Sequence, residues 1–210
     1  MAEARVLRVV TFEPSASESA LDAALRERAL PSLLATKGCV DAWIGRHGAG
    51  DKERLIASTW TTPPADDVET KVLAGIELFG GTPAITSTRI RSICVTARFD
   101  RPEGPRLLRV VHGRSVAGQL EMFVEAARQS LAATQAANAG PSVFVLATEP
   151  PDSFTALTAW TDWASIEQAT GGNVRRPAAT PLVNLLADHR VVHYELLPGD
   201  TSTEADRAGS

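Results

Sequence analysis

Four histidines, His47, His112, His189 and His193, are the side chains of this 210-residue chain best suited to moving protons near neutral pH. His189 and His193 stand four apart in a strand-like run, on one face but about 13 Å from each other, too far to share a metal ion. Cys39 and Cys94 have no neighbouring Cys or His at zinc-ligand spacing, so both are expected to be reduced and packed, and no metal site is expected. Gly48-Ala49-Gly50 lacks the strand, loop and helix context of a nucleotide site, and nothing matches a phosphate-loop lysine motif or a nucleophile elbow. More suggestive is a repeated pair of a hydroxyl and an indole: Ser58 with Trp60, and Thr158 with Trp160. Two residues apart in a strand means one face. Such a pair is a shelf for a flat aromatic ligand, since ring stacking contributes about 0.5 to 1.5 kcal/mol beyond area burial.

The elements that must position these groups repeat. Leu7-Arg8-Val9-Val10 recurs as Leu108-Arg109-Val110-Val111, Gly38 as Gly140, and Trp60-Thr61 as Trp160-Thr161, all at offsets of 100 to 102. In the first half, β-branched residues from Arg5 to Phe12 predict a strand. Capping residues at Ser15 to Ser19 and an apolar stripe at Leu21, Leu25, Ala29 and Leu33 predict a helix that Pro31 kinks and Gly38 ends. Strands at Cys39 to Arg46 and Arg54 to Trp60 flank a hairpin turn, a helix follows Pro63-Pro64 and ends at Gly80-Gly81, and Thr88 to Phe99 closes the unit. The second half runs in the same order: strand Leu107 to His112, helix stripe Leu120 to Leu131, strands Ser142 to Thr148 and Phe154 to Trp160, helix Trp163 to Ala169, strand His189 to Leu196.

The expected organisation is a first β-α-β-β-α-β repeat over 1–100, a linker over 101–106, a second repeat over 107–197 and a disordered tail over 198–210. Each unit leaves one sheet face open. The economical solution is an α+β fold in which two tandem ferredoxin-like units pack sheet to sheet as a pseudo-dimeric barrel, with a binding cavity between the sheets. A composition of 44% hydrophobic and 22% charged residues supports such a core and excludes a disordered chain. A net charge of -4 offers no basic surface for nucleic acid, which is not an expected partner. No run approaches the roughly 20 apolar residues of a membrane span, and no signal-peptide core follows Met1. No membrane partner is expected, and the location expected is cytoplasmic.

Strand alternation then sorts the candidates. Asp41, Trp43, Gly45 and His47 share the cavity face, and Val40, Ala42 and Ile44 the helix face. His112 replaces Thr11 of the first repeat, His193 aligns with Cys94, and Tyr194 is expected beneath the helices. Arg8 and Arg109, at equivalent positions, are expected to pair with carboxylates across the two halves or to reach solvent.

The stretch Leu30-Pro31-Ser32-Leu33-Leu34 to Gly38, then Ala42-Trp43-Ile44-Gly45-Arg46-His47-Gly48, then Arg54-Leu55-Ile56-Ala57-Ser58-Thr59-Trp60, resembles the antibiotic biosynthesis monooxygenase-like family of the dimeric α+β barrel superfamily. The resemblance covers most of residues 5 to 99 and, more loosely, 106 to 197, and it implies the family's dimer fused into one chain. It further implies oxidation of a small aromatic or polycyclic substrate, with no cofactor in the cofactor-free members. Such chemistry needs a base to form an electron-rich anion and a donor to steady it. His112, or His193 with Glu195 two residues on, would be the base. Trp160 would be the shelf, and Trp43, Trp60, His47, Ser58 and Thr158 would contact a small apolar or aromatic ligand. Two alternatives stand beside this: a non-catalytic hydrophobic-ligand-binding or assembly module, and a haem-binding protein. The helix after each motif Trp lacks the histidine of haem-degrading relatives. The pseudo-dimeric chain could associate further as a homo-oligomer.

Overall fold

The computed structural model describes residues 3–13, 18–48, 52–74, 84–99, 101, 103–136, 140–176 and 180–197. The chain forms β1 (Val6–Glu13), α1 (Glu18–Ala24), a π-helical turn (Leu25–Ala29), α2 (Leu30–Ala35), β2 (Cys39–His47), β3 (Arg54–Trp60), α3 (Val68–Ala74) and β4 (Ala84–Arg98). The second unit follows as β5 (Leu107–Ser115), α4 (Leu120–Ala136), β6 (Val143–Glu149), β7 (Ser153–Trp160), α5 (Trp163–Thr170), α6 (Thr180–Val183) and β8 (Leu186–Leu196). The expected capping residues Ser15 to Ser17, the hairpin tip at 49–51, Gly80-Gly81 and the tail 198–210 lie outside the described residues.

Local chemistry accounts for the helix boundaries. The irregularity expected at Pro31 falls one turn earlier, where Leu30 N–H donates to the Leu25 carbonyl, and Pro31 sits in the first turn of α2. Because helix precedes it, Pro31 lacks an N–H to bond back into that turn and its ring crowds the carbonyl four residues earlier, and the widened turn before it accommodates both. Asp162 caps α5 by accepting from the Ser165 N–H at 2.7 Å, and Gly171, at φ 68°, ends it in the left-handed region.

The eight strands close into one antiparallel barrel in the order β1-β3-β2-β8-β5-β7-β6-β4. Each unit contributes four adjacent strands, and the units are stitched at two seams. The β2–β8 seam pairs Gly45 with Leu196, Arg46 with Glu195 and His47 with Tyr194. The longer β4–β6 seam runs from Ser92 opposite Thr148 to Arg98 opposite Val143. Helices cover the outside, so the central strands are buried on both faces: β3 at every position and β1 at all but Glu13.

Among the described residues, the space between the half-sheets where a cavity was expected is packed with side chains. Leu7, Val9, Leu55, Leu108, Val110 and Leu157 fill it in one cluster with Val145, Val192 and Tyr194. In a small eight-stranded barrel the inward side chains are just long enough to meet at the axis, which leaves a packed core. The Tyr194 expectation is therefore reversed. Its ring lies in the lumen, where its hydroxyl donates to Glu53 Oε1 at 2.7 Å, and burial and that carboxylate push the phenol up. Outside the barrel, the first unit's helices pack on Phe12, Leu21, Leu25, Leu33, Ile56 and Trp60. The second unit's helices pack through a cluster that includes Phe123, Val124, Leu146 and Phe154.

Candidate functional site

A partly open cavity of about 240 Å³ lies on the outer face of the second unit, between its sheet and helices α4, α5 and α6. Its walls are apolar: Phe123 and Leu131 from α4, Phe144 from β6, Phe154 and Trp160 from β7. For scale, a cavity of roughly 150 Å³ holds benzene, so this one takes one to two fused rings, with its mouth open for more. Among the described lining residues Arg109 is the only charged one. The strand period that sends Leu108 and Val110 into the lumen sends Arg109 outward beneath the helices.

The polar groups are tied together. Trp160 Nε1–H donates to Thr158 Oγ1 at 2.8 Å, and the Thr158 hydroxyl donates to the Arg109 carbonyl at 3.3 Å. Arg109 Nη2 donates to the backbone carbonyl of Arg176. The Arg109 side chain is 5% exposed, and burial draws its pKa down to about 10, which leaves it cationic at neutral pH. A cation in apolar surroundings interacts far more strongly with a nearby anion than one in water does.

His193 stands directly opposite Arg109 across the β5–β8 ladder and shares its face. Its ring lies 4.9 Å from that of Trp163, and its Nε2 is buried and makes no hydrogen bond among the described residues. Burial, then Arg109 and His47, hold the imidazole down at about 4. It is neutral at pH 7, with a nitrogen able to accept a proton. The ladder also revises an alignment: Arg8 faces Ile90 as Arg109 faces His193, so Ile90, not Cys94, is its counterpart in the first unit.

The other sequence candidates are dispersed by the barrel wall. His112 points into the lumen, where its Nδ1 lies 2.9 Å from Thr155 Oγ1; burial first, then Arg89, Arg91 and Arg190, take its pKa down to about 3. Glu195 shares the outer face with His193, and its carboxylate is held by Arg46 at 2.6 Å. Trp43 packs against the luminal core, and His47 meets Tyr194 edge-on at 5.6 Å between centroids. Trp60 donates to Ser58 Oγ at 2.8 Å, the same bond as in the second unit, but inside the packed first-unit core. Thus Trp160 and Thr158 line the cavity, His193 adjoins its Arg109, and Trp43, His47 and His112 lie on the far side of the sheet.

Arg109 is the functional candidate that residue spacing did not single out. The expectation that the paired arginines cross between halves is corrected by Arg8, which is 2% exposed and lies 2.7 Å from Glu69 within its own unit. A signal was present in the sequence. Nine residues after Trp60 stands Glu69, whereas nine after Trp160 stands Ala169, which lines the cavity.

Two ferredoxin-like units closed into a helix-coated antiparallel barrel define an α+β barrel of the pseudo-dimeric kind. Solved structures share it over nearly their whole length. A candidate monooxygenase from Fusobacterium nucleatum superposes with a TM-score of 0.68 at 14% identity, covering 94% of each chain. An anthrone oxidase-like protein gives 0.57 at 11%, covering 92% of each. A ferredoxin-fold protein related to antibiotic biosynthesis monooxygenases, from Listeria monocytogenes, gives 0.54 at 9%, covering 92% of this chain and 96% of that one. No family model matches the chain, and no curated protein does. The likeness establishes the fold, an α+β barrel built of ferredoxin-like units. Among the described residues, no helix is long and apolar enough to cross a membrane, and no group of three His, Cys, Asp or Glu is placed to hold a metal ion.

The second-unit cavity, in its described lining, does not fit haem. The described lining offers no imidazole, thiolate, thioether or phenolate that could ligate iron.

Proposed function

We propose that the second-unit cavity binds a flat aromatic molecule bearing an acidic C–H or O–H, and that the protein is a monooxygenase-like enzyme that oxidises it with dioxygen. The observation that carries this reading is Arg109, a buried cation at a largely apolar, aromatic-walled cavity whose other polar lining residues are the uncharged Ser130, Thr134, Thr158 and Thr170. Such a site favours a ligand whose rings stack on Trp160 and Phe144 and whose charge appears during reaction. His193 takes the proton, and its low pKa restricts substrates to those whose anion is delocalised and steadied by Arg109. The anion then donates electrons to dioxygen. For an aryl methylene, one oxygen atom becomes the new carbonyl and the other leaves as water with both hydrogens, so no external reductant is needed. An anthrone is a substrate of this class, in keeping with the fold shared with an anthrone oxidase-like protein.

The test is oxygen uptake by the purified chain with anthrones and polycyclic phenols. The expected result is one dioxygen consumed per substrate, and loss of turnover with retained binding in Arg109→Met. Absence of both uptake and any ligand-induced rise in melting temperature would overturn the reading. A non-catalytic ligand-binding role has one observation in its favour: the Trp160 N–H is already engaged by Thr158 and is not offered to a ligand. Saturable binding without oxygen uptake would select it.

A further inference from the structure

One end of the barrel lumen concentrates cations on the side of the sheet away from the cavity. Arg89 and Arg91 face Val9 and Leu7 across the β1–β4 ladder, and Arg190 faces His112 across the β5–β8 ladder. Since Leu7 and Val9 are luminal, and His112 follows luminal Leu108 and Val110 at strand period, all three arginines project to the inside of the barrel. They converge closely enough for each to act on His112, and Arg89 acts on Arg91 as well. Arg91 is 11% exposed, and its Nε and Nη1 are buried with no hydrogen-bond acceptor among the described residues. Arg190 is exposed, so the cluster reaches solvent.

Among the described acids of this end, Glu149 alone is seen to pair with the cluster, through Arg91 Nη2, and the others are engaged elsewhere. Glu149 lies 3.5 Å from Arg91 Nη2, Glu53 accepts from Tyr194, and Asp188 is held by Arg114 at 2.5 Å. Asp152 acts on Arg114. Among the described residues, Arg89 donates to the Ser87 hydroxyl at 3.4 Å. Guanidinium groups gathered this way, with buried N–H donors lacking acceptors, are complementary to an oxyanion, which takes several charge-assisted hydrogen bonds at once.

We propose that this barrel mouth is a binding site for a small multivalent oxyanion of the sulfate or phosphate class, held by Arg89, Arg91 and Arg190. It is separated from the aromatic cavity by the sheet itself, so its occupancy does not depend on the proposed reaction.

The experiment is an NMR titration of the full chain with sodium sulfate against sodium chloride at constant ionic strength, following backbone amides of residues 89–91, 111–113 and 189–191. Saturable shifts confined to these segments are expected, with Arg190→Gln weakening sulfate by roughly tenfold, the loss of one charge-assisted contact. Because Arg190 is exposed, its replacement leaves the melting temperature in chloride unchanged; Arg89→Gln is the second variant. Inorganic phosphate and phenyl phosphate form further arms. Equal affinity assigns the site to the free anion, and tighter phenyl phosphate to phosphate esters. Shifts that are linear in sulfate, or that persist unaltered in both variants, would overturn the proposal.

Discussion

The outer faces of the two units begin from the same strands and end differently. Beneath α1, α2 and α3 the first unit is closed by Phe12, Leu21, Leu25, Leu33 and Trp60, and its strand arginine is neutralised by Glu69. Beneath α4, α5 and α6 the second unit keeps about 240 Å³ open beside its own strand arginine. The pairing of an indole with a hydroxyl two residues before it is identical in both, at 2.8 Å. That bond therefore belongs to the architecture. The first unit sets the Glu69 carboxylate against its strand arginine, whereas Ala169 is among the residues lining the cavity of the second.

The largest effect should come from breaking the filled side. Glu69→Ala leaves the Arg8 guanidinium buried without its carboxylate, and a loss of about 3 to 5 kcal/mol in chemical denaturation is expected. On the hollow side, Arg109→Met should lower turnover by about 10² to 10³, equivalent to roughly 3 to 4 kcal/mol of transition-state stabilisation, with a smaller stability change than in Glu69→Ala. Oxygen-uptake kinetics and denaturation on the same two variants separate the roles. A turnover loss in Glu69→Ala matching that of Arg109→Met would end the distinction between a structural and a functional arginine.

A smaller contrast is expected from the two indoles. Trp60→Phe removes a buried hydrogen bond and volume inside a full core and should cost about 1 to 3 kcal/mol. Trp160→Phe should cost less, because its ring borders space, while weakening aromatic ligands by about tenfold in a binding titration. The reverse ranking would mean that the second-unit space is not a ligand site.

The last contrast concerns pH. With its folded pKa down at about 3, His112 binds protons less readily in the native state than in the unfolded one, whose value is near 6.5. The stability it contributes is present above pH 6.5 and is lost progressively as pH falls from there toward 3. Replacing it by the residue of the first unit, His112→Thr, should flatten the fall in melting temperature between pH 7 and pH 4. An unchanged slope would show that other groups carry the acid sensitivity.

Much of the fold was legible because strands and helices announce themselves through local periodicity. The β-branched runs, the stripe on α4, Gly38 and Gly140 at helix ends and the matched Trp60 and Trp160 fix an order of elements that the structure repeats in its two units. The missed feature of the fold was the place of the cavity. Alternation tells that Ser58 and Trp60 oppose Thr59, but in β1 and β3 both faces are buried, so polarity does not say which one is lumen and which lies under helices. Tyr194 and His193 exchanged their expected surroundings for the same reason. Arg109 was visible as the twin of Arg8, yet its role depends on α5 and α6. The short helix Thr180–Val183 had no expectation behind it, since a single turn carries too little periodicity to be read.

By itself the sequence determined two units of like order and the indole and hydroxyl pairs at strand ends. These depend on residues near one another along the chain, where the strand period of two and the helix period of 3.6 act directly. Only the tertiary structure decided that aliphatic side chains pack the lumen, that a cavity lies on the outer face of the second unit, and that three arginines from two distant strands project into one end of the barrel. Each of those outcomes is set by barrel closure and by the volumes of side chains from elements far apart in sequence, quantities that no local pattern encodes.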